Sequence, residues 1–330
     1  MTVCIGVSID DIREAEERLD DRVVRTPLIE SRLLNDRIQS RVLFKTECLQ
    51  KTGSFKIRGA LNILSLLTEH ERAAGVVAYS SGNHAQGVAA AANALQIHAK
   101  IVIPDDAPRL KIDNTRAWGA DVILYDRHTE DRAQIACDIA NRERRILVPP
   151  YDDPHIIAGQ GTVGLEISQA LTESELEPDV ILCPCGGGGL VAGTAIAIKE
   201  QFPKCQIFSV EPQNFEDTQR SLKAGVRVPN APGHTSICDA IVTERPGELT
   251  FPINQAVLTA GIAVSEEMIL EAMRTAFQDL KLVLEPGGAV GLAALLCNSA
   301  NLTNRTVVVV LSGGNIDLSS FINLLNSNDR

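Results

Sequence analysis

Val180-Ile181-Leu182-Cys183-Pro184-Cys185-Gly186-Gly187-Gly188-Gly189-Leu190 decides how the rest of the chain is read. A short apolar run that ends abruptly in glycine reads as a strand buried on both faces, and the Ala- and Ile-rich stretch from Leu190 to Glu200 reads as a helix. Four consecutive glycines leave no side chains in the way. Several backbone N–H groups can then converge on one anion, with the positive end of the helix behind them. A tight turn alone would need about one or two glycines, so the run is read as a phosphate cup. No Gly-Lys-Ser/Thr follows, as a P-loop requires, and no GxGxxG turn with a downstream acid is present, as a nicotinamide dehydrogenase requires.

The same pattern of apolar strand, small polar turn and helix occurs twice more. Gly75-Val76-Val77-Ala78-Tyr79 runs into Ser80-Ser81-Gly82-Asn83-His84, and Val307-Val308-Val309-Val310-Leu311 runs into Ser312-Gly313-Gly314-Asn315. Ligands of open α/β sheets sit at the carboxyl ends of strands, so the three turns predict one shared site. Strands and helices alternate from the strand at Val42-Leu43-Phe44-Lys45 onward, which predicts an α/β fold with a largely parallel sheet. Ahead of it, Ser8 followed by Ile12, Ala15 and Leu19 predicts a capped amphipathic helix, which Thr26-Pro27-Leu28 interrupts. Pro149-Pro150-Tyr151-Asp152-Asp153-Pro154 reads as a hinge, and Arg245-Pro246-Gly247-Glu248-Leu249-Thr250-Phe251-Pro252 as a surface connection.

Composition bounds the answer. At 330 residues and 45% hydrophobic content the chain can build two ordinary domains. Its net charge of -11 argues against duplex nucleic acid as a partner, because that affinity rests on neutralising phosphates. The eight cysteines show neither CxxC pairs nor Cys/His zinc spacing and are expected to be reduced, mostly buried thiols. Without an export-type N-terminal segment or an apolar run of roughly 18 residues, a cytoplasmic enzyme with no membrane attachment is expected.

Lys56 lies between Phe55 and Ile57 in Lys51-Thr52-Gly53-Ser54-Phe55-Lys56-Ile57-Arg58-Gly59-Ala60, just ahead of an expected helix from Ala60 to Leu67. Apolar surroundings lower a lysine's pKa, which an amine needs to form a Schiff base. A solvated lysine at a helix start is the commoner explanation when such a segment stands alone. Joined to a phosphate cup, a reactive lysine is what pyridoxal phosphate requires. Ser80, Ser81, Asn83 and His84 offer hydroxyls, an amide and free helix N–H groups to a substrate carboxylate, although His84 reads equally well as an ordinary helix-start histidine. Ser312 ends a buried strand and needs a hydroxyl partner. Glu211, Glu216 and Asp217 follow the strand Gln206-Ile207-Phe208-Ser209-Val210 and read either as a solvated surface or as oxygen ligands for Mg²⁺.

Together these motifs resemble the fold type II pyridoxal-phosphate enzymes, and within them the threonine/serine dehydratase and serine racemase group. The resemblance runs from Thr26-Pro27-Leu28 to Ser312-Gly313-Gly314-Asn315, and the segment around Lys56 is very specific. It implies a tryptophan synthase β-like α/β fold of two open, twisted, mostly parallel sheets flanked by helices, with the cofactor between domains. Residues 1–75 and 152–330 would form the large domain and 76–151 the small one. It further implies that Lys56 carries the cofactor and acts as base on one face, with Ser81 as the base on the other. Phe55 would pack on the ring, Asn83 would contact the ring hydroxyl, Gly186, Gly187, Gly188 and Gly189 would bind the phosphate, and Ser312 would bond the ring nitrogen. A divalent cation would take Glu211, the Phe215 carbonyl and Asp217.

The implied activity is loss of water and then ammonia from L-threonine or L-serine by a homodimer. Serine or aspartate racemisation and 3-hydroxyaspartate dehydration are the near alternatives. For 3-hydroxyaspartate, Arg132 or Arg58 would face the second carboxylate. A general likeness around Ser236 to Asn254 adds a dehydratase of hydroxyectoine breakdown. No regulatory domain is expected after Asn315, which favours a catabolic role.

Overall fold

The computed structural model describes residues 6–80, 82–297 and 302–326. Among these, ten strands form two sheets: β1 (Leu28–Glu30), β2 (Arg41–Lys45), β3 (Val76–Tyr79), β4 (Ala99–Pro104), β5 (Asp121–Tyr125), β6 (Ile146–Leu147), β7 (Val180–Pro184), β8 (Gln206–Pro212), β9 (Ala260–Val264) and β10 (Thr306–Val310). The larger sheet has the order β1-β2-β10-β7-β8-β9 and the smaller β5-β4-β3-β6. Every pairing is parallel except β1 with β2. Strands β7 and β10 are buried throughout or nearly so, as expected of a parallel sheet covered on both faces. After β2 the chain leaves to build the smaller sheet and returns as β7. The late strand β10 then inserts between β2 and β7, a crossover that opens a crevice at their carboxyl ends.

Helices cover both sheets. Ser8 caps the Ile9–Leu19 helix and closes a capping box with Asp11, and Ile12, Ala15 and Leu19 are its buried face. The helix that carries Lys56 spans Lys56–Ser65, so it begins four residues before the expected Ala60 and Lys56 is its first residue. It lies against the Pro154–Glu173 helix, which Asp153 caps and Pro154 opens. A Cβ on Gly159 would meet the Gly59 Cα at 2.6 Å, so this close approach exists because neither residue has a side chain. Beneath it the Arg58 guanidinium donates to both oxygens of Glu47 and both of Glu166 at 2.7–2.9 Å. Lys45 completes a buried four-charge cluster through Glu166.

The surface connection expected at 245–252 is corrected. Arg245, Glu248 and Leu249 are exposed, but Pro246, Gly247, Thr250 and Phe251 are buried, and Thr250 opens the Thr250–Val257 helix. The segment turns inward because small residues there pack behind the glycine loop: the Gly247 N–H and the Thr250 hydroxyl both donate to the Gly187 carbonyl. Among the described residues no helix is long and apolar enough to cross a membrane. Cys183, Cys185, Cys205 and Cys238 are buried thiols.

Candidate active site

Lys56 is placed by backbone pairing rather than by its own side chain. Ser54 bridges Gly313 in antiparallel fashion, the Phe55 N–H donates to the Ser312 carbonyl at 3.2 Å, and the Gly314 N–H donates to the Gly53 carbonyl at 2.9 Å. Gly53 has φ +69°, a left-handed turn that glycine adopts without cost. Lys56 and Ser312 therefore line the same cavity. The Lys56 ammonium donates to the Pro150 carbonyl at 2.7 Å and lies 5.2 Å from the centroid of the Phe55 ring. Burial alone pushes its pKa down to about 8, which at neutral pH raises the free-amine fraction by roughly two to three orders of magnitude.

The glycine loop faces it across one cavity of about 110 Å³, which Lys56, Asn83, Gly186 to Gly189, Glu285 and Ser312 help to line. The three strand-end turns thus meet. No residue among those described accepts a hydrogen bond from the N–H groups of Gly186 to Gly189, which start the Gly189–Gln201 helix. Four unpaired donors at a helix N-terminus fit a phosphate dianion, and the buried amine of Lys56 opposite them fits the aldehyde of the same ligand. The loop is closely packed: a Cβ on Gly187 would lie 2.3 Å from the Tyr151 ring, and Gly188, at φ +94°, would meet the Asn254 amide at 2.6 Å. Gly187→Ala should therefore weaken cofactor binding by about a hundredfold or more, some 2.7 kcal/mol, read from the cofactor dissociation constant of the purified protein.

Asn83 and His84 fall inside the first turn of the Asn83–Ala94 helix rather than ahead of it. Asn83 donates its Nδ2 to Glu285 at 2.5 Å and accepts from Asn315 at 2.8 Å. His84 bonds the Val148 carbonyl at 3.0 Å, and burial, with Lys56 beside it, pushes its pKa down to about 3. It lines the cavity as a neutral ring. The Ser80 hydroxyl accepts from the Gly82 N–H at 3.1 Å. Ser81 lies outside the described residues.

Glu211 and Asp217 are buried side by side near the end of β8 and the start of the Asp217–Ala224 helix. Glu211 accepts from the Thr218 and Gln219 N–H groups at 2.8 and 2.9 Å. Asp217 accepts from Asn230 at 2.7 Å, and its second oxygen is buried with no partner among the described residues. Burial and then the neighbouring Asp217 push Glu211 well up, and burial pushes Asp217 to about 6. Two buried acids with an orphaned oxygen are the donor set a hard cation relieves. No group of three His, Cys, Asp or Glu side chains that could hold a metal ion occurs among the described residues.

Of the two arginines considered for a second substrate carboxylate, Arg58 is excluded: it is buried in the cluster with Glu47 and Glu166 and does not reach the cavity. Arg132 lines the cavity, its guanidinium carbon 5.7 Å from the centroid of the Tyr79 ring. The site also uses residues that sequence reading did not single out. Asp152 accepts from the Glu248, Leu249 and Thr250 N–H groups, and Lys111 pairs with Asp239 at 3.1 Å and with Glu285 at 3.6 Å. The paired aspartates at 152 and 153, next to helix starts, were the available signal for the first.

A buried uncharged-prone lysine opposite a phosphate cradle, at the carboxyl ends of parallel strands, defines a pyridoxal-phosphate site. The profile of the pyridoxal-phosphate dependent enzymes matches residues 19–313, and the chain belongs to that family. It is 40% identical over 320 residues to the L-threo-3-hydroxyaspartate ammonia-lyase of Saccharomyces cerevisiae, covering 97% of this chain and 96% of that one. It is 41% identical over 320 residues to the L-threonine ammonia-lyase of Thermotoga maritima, covering 97% of this chain and 78% of that one. The structure of maize serine racemase superposes with a TM-score of 0.91 at 36% identity, covering 96% of each chain.

Proposed function

We propose that this chain is a cytoplasmic, homodimeric ammonia-lyase that converts a β-hydroxy amino acid, L-threonine or L-serine, to a 2-oxo acid and ammonia. The observation that carries this reading is the buried Lys56 amine facing the unpaired N–H groups of Gly186 to Gly189 in one cavity. Pyridoxal phosphate, when bound, draws off the negative charge that develops at the substrate Cα. The chain's own residues do the rest. Gly186 to Gly189 would hold the phosphate, Phe55 would pack on the ring and Ser312 would meet the ring nitrogen. A neutral hydroxyl there leaves that nitrogen unprotonated, which suits elimination better than transamination. Ser80, Ser81, Asn83 and the N–H groups of their helix would hold the substrate carboxylate. The Lys56 Nζ would take the Cα proton from one face and the Ser81 hydroxyl from the other.

Two opposed bases also permit racemisation, the reading that the likeness to maize serine racemase supports. L-threo-3-hydroxyaspartate is a second candidate substrate, because Arg132 offers the cavity a cation and an L-threo-3-hydroxyaspartate ammonia-lyase is among the relatives. Release of 2-oxo acid from the three amino acids, with the configuration of the substrate left over, tests both. If the second carboxylate matters, Arg132→Leu should lower kcat/KM for 3-hydroxyaspartate by about 10- to 100-fold, as expected for a lost charge-assisted pair, and leave L-threonine nearly unchanged.

Glu211, the Phe215 carbonyl and Asp217 would hold Mg²⁺, supported by the orphaned Asp217 oxygen. Mg²⁺ against EDTA should then raise Tm by roughly 2–5 °C, and Asp217→Asn should abolish the difference. The two sheets would belong to separate domains, 76–151 moving against 1–75 with 152–330.

A further inference from the structure

Tyr79 ends β3 on the face of the smaller sheet that the Arg132–Glu143 helix covers. Val77 and Tyr79, two residues apart on one strand, share that face. The Tyr79 ring packs against the buried cluster of Val77, Val102, Tyr125, Ala136 and Ile139, in which Ala136 and Ile139 come from the helix. Ala136 lies one turn after Arg132 on the same side of that helix, so the packing that seats Ala136 on the sheet carries Arg132 over Tyr79. The guanidinium carbon lies 5.7 Å from the ring centroid, within cation–π range. Asp131 caps the helix by accepting from the Ala133 and Gln134 N–H groups, which fixes the backbone from which the Arg132 side chain starts.

Arg132 is otherwise uncommitted. Its guanidinium forms no ion pair and no hydrogen bond among the described residues, and it lines the same cavity as Lys56 and Tyr79. Asp239 and Glu285, the acids that line this cavity, pair instead with Lys111. A long side chain held only by its own torsions loses rotamer freedom when it binds an anion. A guanidinium that lies over a ring, itself packed in place, has given up part of that freedom beforehand.

We propose that Tyr79 is a positioning residue that determines specificity: its ring holds the Arg132 guanidinium where it meets the second carboxylate of a dicarboxylic β-hydroxy amino acid. The inference rests on the reading of Arg132 given above and carries it further, since it makes the ring at position 79 part of the preference for 3-hydroxyaspartate over L-threonine or L-serine. The face of the ring attracts the cation without help from the hydroxyl, so phenylalanine should serve in its place.

The test is steady-state kinetics of holoenzyme on L-threo-3-hydroxyaspartate and on L-threonine and L-serine. In Tyr79→Leu the ratio of kcat/KM for the dicarboxylate to that for the monocarboxylate should fall about 5- to 20-fold, mainly through KM, and Tyr79→Phe should keep the parent's ratio within about twofold. Tyr79→Leu added to Arg132→Leu should lower the ratio no further, because the ring acts only through the guanidinium. If Tyr79→Leu does not fold, Tyr79→Met, closer to tyrosine in length, is read in the same way. A parent-like ratio in Tyr79→Leu, whether both activities stay or fall together, overturns the proposal, as does a further fall in the double variant. A ratio that falls in Arg132→Leu but not in Tyr79→Leu sinks only the role of the ring. A parent that leaves L-threo-3-hydroxyaspartate untouched while it consumes L-threonine or L-serine sinks the dicarboxylate reading as well.

Discussion

Lys56→Ala should lower turnover by more than about 10⁴-fold, because it removes both the proposed covalent hold on the cofactor and one of the two proposed bases. The same substitution should cost the apoprotein almost nothing in stability. Among the described residues the Lys56 amine bonds only the Pro150 carbonyl and burial alone shifts it, so its removal relieves a desolvated polar group. A Tm that is unchanged or slightly higher, with activity and visible absorbance gone, separates a chemical role from a structural one. Lys56→Arg should not rescue, since a guanidinium stays protonated in the same surroundings.

Arg58→Met should be the most destabilising single change, by about 3–5 kcal/mol in denaturant unfolding. It leaves Glu47 and Glu166 buried with only Lys45 to balance them. Against a typical total stability of about 5–15 kcal/mol, such a loss shows as a large drop in midpoint with little change in slope. Burial raises Glu47, but the paired Arg58 outweighs it and Glu47 sits below its ordinary value. Its contribution is therefore present above the unfolded-state pKa and is lost as the pH falls through the folded one. Arg58→Lys should recover only part of the loss, because an ammonium cannot reach both carboxylates in bidentate fashion.

Much of the fold is legible in the sequence because its signals are local. An apolar strand, a cluster of small residues and a helix start lie within about a dozen residues of one another, and all three such turns reach the cavity. Lys56 is legible for the same reason. Arg58 passes for a possible substrate cation only while its spacing is read without a helix. Once the helix begins at Lys56, a residue two positions on points away from it. The 245–252 segment resembles surface because it is polar and rich in Pro and Gly. Yet the burial of Gly247 and Thr250 depends on the Gly187 carbonyl, some 60 residues earlier in the chain. The Lys111, Asn83, Glu285 and Asn315 network joins positions up to 232 residues apart, and no sequence period encodes that.

The most direct measurement is a product balance. Purified holoenzyme is given L-threonine, L-serine and L-threo-3-hydroxyaspartate in turn, and 2-oxo acid, ammonia and the remaining substrate's configuration are quantified together. The proposed activity predicts 2-oxo acid and ammonia in equal amounts from at least one of them, abolished in Lys56→Ala. Consumption that yields only the opposite enantiomer, or no consumption by protein that shows the cofactor's absorbance, would contradict it.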